Sequence, residues 1–284
     1  MKFSIATSDG YQGVLDAFLE QKWQLEKLFI CPKNWMHDNK QVIARALEIG
    51  AEIQESPLSD RDLSDLNQRG CTTLVVATYQ WKIPEWSRHI QYAVNFHPSP
   101  LPEARGPYPL VRALLEGRSS WAVTCHKISN LFDQGDILDA EAFPLDSDEC
   151  HESLRIKSQM AAARLAGRIA SWLPSLWNSA IVQGAGSYWA QTTDQERTLD
   201  FTRPVGDTMR QIRAFGDMDT IATINQVLIF VHRARGWKEA HSRQPGTVVH
   251  STDLAIVVAV ADGFLAVTEW SLHPPGSVWE KLRG

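Results

Sequence analysis

Long apolar runs are missing from this 284-residue chain: even LAIVVAVADGFLAV is broken by Asp262 and Gly263. That stays short of the roughly 18 consecutive apolar residues of a membrane span, so no membrane segment is expected. An export signal is also lacking, because MKFSIATSDGYQ reaches polar and glycine positions after only a few apolar ones; the expectation is a cytoplasmic protein. Cysteine is scarce. Cys31, Cys71, Cys125 and Cys150 are widely spread, which fits neither a disulfide framework nor the close pairs of a zinc site. Excess positive charge is absent too: 28 basic against 33 acidic side chains give a net charge of −5. No overall basic field is available to hold a polyanion. Finally, no Gly-x-Gly-x-x-Gly follows the first apolar strand, so a nicotinamide cofactor is not indicated and a dehydrogenase is disfavoured.

What is present is ordinary globular material, with 44% hydrophobic and 21% charged residues. The length favours two domains. Short apolar strands alternate with helical stretches from the start: KFSIATS, a helix through VLDAFLEQ, KLFICP, and a helix through QVIARALEIG. This βαβ order, with the largely apolar CTTLVVATY as a strand covered on both faces, predicts an α/β domain with an open, mostly parallel Rossmann-like sheet. YAVNFHPS and AVTCHKIS read as further strands, and Glu152 to about Asn178 as a long helix. After Thr198 the pattern becomes one helix, VGDTMRQIRAF, then five strands separated by turn residues. That predicts domains at 1–199 and 200–284, the second a small β domain of OB type, which spacing alone does not separate from a sandwich.

Chemistry concentrates between residues 95 and 136. Asn95-Phe96-His97-Pro98-Ser99-Pro100-Leu101-Pro102 leaves the end of a predicted central strand, where open α/β sheets build their sites. Asn95 and His97 are two apart, so both project from one face of the strand. Glu103-Ala104-Arg105-Gly106-Pro107-Tyr108-Pro109 then turns into a helix, and Leu131-Phe132-Asp133-Gln134-Gly135-Asp136-Ile137 is a loop with two carboxylates around a glycine. Asp133 is the natural third member. Each element alone has a plainer reading: a strand-end histidine is most often structural, and Asp-x-Gly-Asp is an ordinary turn. Arg105 reads equally as an anion ligand or a loop-fixing donor, and Tyr108 as a stacking or a packing ring. Ser99, flanked by prolines in a loop that is no nucleophile elbow, is not assigned to catalysis.

Taken together, Asn-x-His-Pro-Ser-x-Leu-Pro, Arg-Gly-Pro and Asp-x-Gly-Asp-Ile resemble the formyltransferases that use 10-formyltetrahydrofolate, strongly over residues 72 to 140. A weaker likeness continues through MRQIRAFG, QPGTVV and ADGFLAVTEW, similar to the carboxyl-terminal domain of the methionyl-tRNA and aminoarabinose enzymes. The resemblance implies a formyltransferase fold, Asn95, His97 and Asp133 as the catalytic trio, and 10-formyltetrahydrofolate as formyl donor. It implies a folate cleft lined by Tyr79, Gln80, Trp81 and Ile83 and by Gly135 and Asp136; by residue type, Arg105 and Tyr108 are the acceptor-side candidates. The chain departs from the family pattern at Pro100 (usually Leu), at Gln80 (usually Gly) and at Thr7-Ser8-Asp9-Gly10, which stands where a Gly-Thr-Pro turn often opens the chain. The last departure bears on the acceptor.

The residue types suit the chemistry. Formyl transfer to an amine passes through a tetrahedral species whose oxygen gains negative charge and needs a fixed donor, which the Asn95 amide can supply. The attacking nitrogen must lose a proton, a task for His97, and the leaving folate nitrogen must gain one, through Asp133. No metal is called for, since neither His89 nor His126 forms a short-range ligand motif with the trio. The expected reaction is N-formylation of a small amine, such as a nucleotide-linked amino sugar or an amino-acid-like metabolite. Met-tRNA is the second reading, hydrolysis of the formyl donor a third, and a non-catalytic folate-binding protein the weakest. Against tRNA stand nine basic and nine acidic side chains after residue 199, and the short, neutral segment Pro32–Asp38. Whether the chain forms a homo-oligomer is left open.

Overall fold

The computed structural model describes residues 1–33 and 38–272. The neutral loop read at Pro32–Asp38 therefore falls partly outside the described residues, as do the charges counted after Leu272. In chain order the first elements are β1 (Lys2–Ala6), α1 (Gln12–Glu20), β2 (Gln24–Phe29), α2 (Lys40–Glu48), β3 (Glu52–Gln54), α3 (Asp60–Gln68), β4 (Thr73–Val76) and β5 (Tyr92–His97). They continue with α4 (Leu110–Leu115), β6 (Ser120–Lys127), β7 (Ile137–Pro144) and α5 (His151–Asn178).

The seven strands pair in the order β3-β2-β1-β4-β5-β6-β7. The five from β3 to β5 run parallel, and β6 and β7 run antiparallel to their neighbours. All four residues of β4 are buried, which explains its largely apolar sequence: it lies mid-sheet with both faces covered. The core beside it gathers Phe29, Leu63, Leu66, Leu74, Val76 and Ala93, with Tyr79, Ile83, Trp86 and Ile128 packed on its edge. Helix α3 starts where Ser59 and Asp62 form a reciprocal capping box. Helix α5 departs from helical geometry at Trp172 (φ −130°). Pro174 lies two residues on, its ring fouling the preceding turn and its nitrogen lacking a donor.

Two compact units divide the chain: Met1–Pro109 with Ser120–Pro144 and Ile156–Ala190, and Leu110–Ser119 with Leu145–Arg155 and the residues from Gln191 onward. In the second unit follow α6 (Asp194–Arg197), α7 (Val205–Phe215), β8 (Thr220–Ile224), β9 (Val227–Lys238), β10 (Val248–Ser251), β11 (Ile256–Val260) and β12 (Gly263–Leu272). These strands form an antiparallel sheet in the order β10-β11-β12-β9-β8. Its core joins Val205 and Ile212 of α7 to Ala222, Val231, Val258, Leu265 and Val267. Gly236 permits this approach, since a Cβ there would stand 2.5 Å from the Val205 side chain.

Candidate active site

The parallel register sets Val76 of β4 beside Asn95 of β5, so the loop 77–84 and the loop after His97 leave the sheet at one edge, the carboxyl end. The antiparallel register then sets Asn95 opposite His126 of β6. The Asn95 amide Nδ2 lies 3.1 Å from His126 Nε2, while His126 Nδ1 lies 2.8 Å from the Lys127 carbonyl. A carbonyl only accepts, so Nδ1 carries the proton and Nε2 offers its lone pair to Asn95. Burial, reinforced by the neighbouring His97, pushes the His126 imidazole down to about 4. It is neutral near pH 7, as an acceptor of the Asn95 N–H must be. The Asn95 amide carries a second N–H besides the one directed at His126.

Asp133 joins the two histidines. Its Oδ1 lies 3.4 Å from His97 Nδ1 and 3.8 Å from His126 Nε2. Its Oδ2 accepts the Gly106 backbone N–H at 2.9 Å. On its other side His97 Nε2 donates to the Ala104 carbonyl at 3.0 Å. The structure thus brings Asn95, His97 and Asp133 into one polar group, largely shielded from solvent. With Nε2 donating to Ala104, Nδ1 is the ring nitrogen that faces Asp133 Oδ1.

Asp133 occupies the left-handed backbone region, φ 56°. Asparagine and aspartate tolerate that region better than other side chains, though it still needs support. Gln183 supplies it, its Nε2 donating to the carbonyls of Asp133 (2.9 Å) and Gly135 (2.7 Å). Arg105 in turn donates from Nε and Nη2 to Gln183 Oε1 at 3.0 and 2.8 Å, and from Nη2 to the Gly184 carbonyl. The arginine therefore fixes the loop in this structure. Gly135 is required sterically, since a Cβ there would stand 1.8 Å from the Lys127 carbonyl oxygen. Asp136 forms an ion pair with Lys127 at 3.0 Å. Tyr108 sits at φ 61°, half-buried beside the turn at Gly106.

In the loop after β4, Tyr79 accepts the Leu58 backbone N–H at 2.8 Å, and burial pushes its phenol up to about 12. It is therefore an uncharged packing group, edge-on to Trp81 at 5.3 Å. Ile83 packs on the same core, whereas Gln80 is exposed and donates its backbone N–H toward Cys31 Sγ. Leu131 and Phe132, immediately before Asp133, are 62% and 66% exposed. Ser99 bonds to the Glu103 carbonyl, and Thr124 to the Ser99 carbonyl, so Ser99 orders the proline loop.

Sequence reasoning passed over His126 and Gln183. The first stands opposite Asn95 only through the register of β5 against β6, which neither strand encodes alone. Nothing periodic marks the second. Among the described residues, three side chains that could ligate a metal ion come together once: His151, Glu152 and Asp217, with ligand atoms within 4.8 Å of one another and Arg155 paired to Asp217. They belong to the second unit. A hollow of about 460 Å³ at the amino ends of β2 and β3, lined by Trp23, Glu26, Glu52 and Arg69, contains none of the residues above.

Known proteins share this pattern. The family described as "Formyl transferase" matches residues 35–166, and "Formyl transferase, C-terminal domain" matches residues 191–276. A methionyl-tRNA formyltransferase of Janthinobacterium sp. is 30% identical over 220 residues, 74% of this chain and 69% of its own. An N-formyltransferase of Helicobacter canadensis, solved with folinic acid and dTDP-3-aminofucose, superposes with a TM-score of 0.70 at 15% identity, covering 94% of this chain and 98% of that one. A variant of HypX from Aquifex aeolicus superposes with a TM-score of 0.68 at 16% identity over 96% of this chain, which spans 46% of that longer chain.

Proposed function

This chain belongs to the formyl transferase family, and from that premise we propose that it moves the formyl group of 10-formyltetrahydrofolate to the amine of a small acceptor. The observation that carries the reading is the meeting of Asn95, His97 and Asp133 at the carboxyl end of β5, with His126 orienting the amide. The donor set fits a folate formyl carrier: a fixed amide N–H, an imidazole beside a carboxylate, and exposed apolar side chains on the loop that presents the carboxylate. When bound, that carrier supplies an activated formyl carbon.

The chain's own residues divide the remaining work. Asn95 directs its second N–H at the formyl oxygen, where negative charge grows, held in that direction before reaction by His126. Asp133 stands as the carboxylate that takes a proton from the attacking amine, with His97 Nδ1 placed 3.4 Å from its Oδ1. Returning that proton through the same pair serves the leaving nitrogen. This shifts the base from His97 alone to the His97–Asp133 pair, because Nε2 is committed to Ala104. Tyr79, Gln80, Trp81, Ile83, Gly135 and Asp136 form the loops we assign to the folate, with Tyr79, Ile83 and Gly135 shaping them from behind. Residues 1–199 are taken as the catalytic part and 200–284 as a separate, OB-like domain without catalytic groups.

A small acceptor rather than tRNA is favoured by the charges of β9. The run Arg233, Arg235, Lys238 would be the basic stripe for a nucleic acid, yet Arg233 pairs with Glu269 at 3.0 Å and Lys238 with Asp262 at 3.4 Å. Counterion release on tRNA binding needs cations that are not already compensated. The second reading, formylation of Met-tRNA, is favoured by the names of relatives such as the Janthinobacterium protein. Incubation with 10-formyltetrahydrofolate, a panel of amines and charged initiator tRNA separates the readings: formyl gain on a small amine supports the first, formyl gain on charged tRNA the second, and formate release without any acceptor a hydrolase.

A further inference from the structure

We infer that Gln183 is a positioning residue for Asp133, setting the direction of the carboxylate through the backbone of its loop, an inference that rests on the formyl-transfer reading of the site. The side-chain amide of Gln183 works at both ends. Its nitrogen donates to the carbonyls on either side of Gln134, those of Asp133 and Gly135, at 2.9 and 2.7 Å. Its oxygen accepts twice from Arg105, at 3.0 and 2.8 Å. Arg105 adjoins Gly106, whose backbone N–H holds Asp133 Oδ2. The carboxylate is therefore gripped from two directions by one connected group: Gly106 fixes one oxygen, and Gln183 fixes the backbone from which the side chain departs.

That backbone is where positioning is needed. Asp133 lies at φ 56°, and rotation back to the ordinary region would swing its side chain away from His97. The two amide N–H bonds oppose that rotation directly, because one acts on the carbonyl of Asp133 itself. Gln183 is tied down in turn: Ile181 exchanges backbone hydrogen bonds with Ile137 at 2.8 Å, Ser187 accepts the Arg105 backbone N–H, and the Ser187 hydroxyl accepts that of Ala104. The segment from Ile181 to Ser187 thus braces both loops of the site without placing a group on the reacting atoms.

Two substitutions separate positioning from mere latching. Gln183→Leu removes both ends of the amide. Gln183→Glu keeps an acceptor for Arg105 but has no N–H for the Asp133 and Gly135 carbonyls. The readouts are the ring-nitrogen NMR signals of His97 in histidine-labelled, ligand-free protein, assigned with His97→Ala, and turnover of 10-formyltetrahydrofolate. Positioning predicts that both variants move the His97 signals in the direction that Asp133→Asn moves them, and lower kcat by about 10²-fold with little change in KM for the formyl donor, the scale of a displaced catalytic group. Wild-type signals and kcat in Gln183→Glu would overturn the inference, as would a Gln183→Leu protein of lowered melting temperature whose His97 signals are unmoved. The spectra need no substrate. If the wild-type protein neither formylated an amine or charged tRNA nor released formate while the spectra behaved as expected, the functional reading would fail and the positioning of Asp133 would stand.

Discussion

His126 Nε2 accepts a hydrogen bond from the Asn95 amide at 3.1 Å, across the antiparallel pair β5–β6. The imidazole can do so because it is neutral, pushed down to about 4 chiefly by burial, and because its other nitrogen is committed to the Lys127 carbonyl. The amide is thereby aimed before any substrate arrives, which is what electrostatic stabilisation of a developing oxyanion requires.

His126→Phe should keep the buried ring but lose the acceptor. Turnover should fall by about 10²-fold, toward the loss expected of removing the oxyanion donor itself, and Asn95→Ala should then cost little more in the His126→Phe background. Additive losses in the double variant would show that the two side chains act separately.

Asp133→Asn should lower kcat by about 10²- to 10⁴-fold, the range for an acid–base group, with folate affinity much less affected. Folate affinity is read by titration calorimetry. A variant of near-normal kcat would remove Asp133 from proton transfer.

Gly135→Ala should be poorly tolerated for a steric reason. A Cβ would stand 1.8 Å from the Lys127 carbonyl oxygen, and backbone must move to relieve it. The expected loss is about 3 kcal/mol or more, the upper end for overpacking, read as a shift of the urea midpoint; an unchanged midpoint would contradict the described turn.

Stability should fall as pH drops from about 6.5 to about 4. His126 and His151 both titrate near 4 when folded, each mainly through burial, against the ordinary 6.5. The unfolded chain therefore binds protons over that interval before the folded one does, so stability is complete above about 6.5 and is lost on acidification. His151→Asn should flatten the acid limb of a melting-temperature profile; an identical profile would show that His151 is not buried neutral.

His232→Ala should leave turnover unchanged, because this histidine bonds to Asp219 and Ser271 in the second unit. A large loss in a stable variant would mean that the second unit supplies catalytic groups.

Much of this architecture is legible in the residues themselves. Whereas α3 and β7 are not read from the sequence, the strands β1, β2, β4, β5 and β6, the helices α1, α2 and α5, and the helix Val205–Phe215 with five strands after it follow from periodicity and breakers. So does the shared face of Asn95 and His97. The three-residue β3 does not: only Glu52–Gln54 is involved, with none of it fully buried, so it leaves almost no hydrophobic pattern. His126 escaped because its role depends on strand register, which a single strand does not encode. Gln183 escaped because the stretch from Ser179 to Ala190 is irregular, with neither a helical nor a strand period, and its bonds go to backbone carbonyls some fifty residues away in sequence, a span of 48 and 50. The committed Nε2 of His97 depends on where the proline loop returns the Ala104 carbonyl, a matter of loop path rather than of residue type.

The most direct test follows the formyl carbon. Wild-type protein and Asp133→Asn are given 10-formyltetrahydrofolate carrying an isotopic label in the formyl group, together with the amine panel and charged initiator tRNA, and the label is located by mass spectrometry. The account predicts label on a small amine with the wild-type protein, none on tRNA, and a loss of about 10²-fold or more with the variant. Label that stays on the folate with wild-type protein, or equal transfer by wild type and variant, would contradict it.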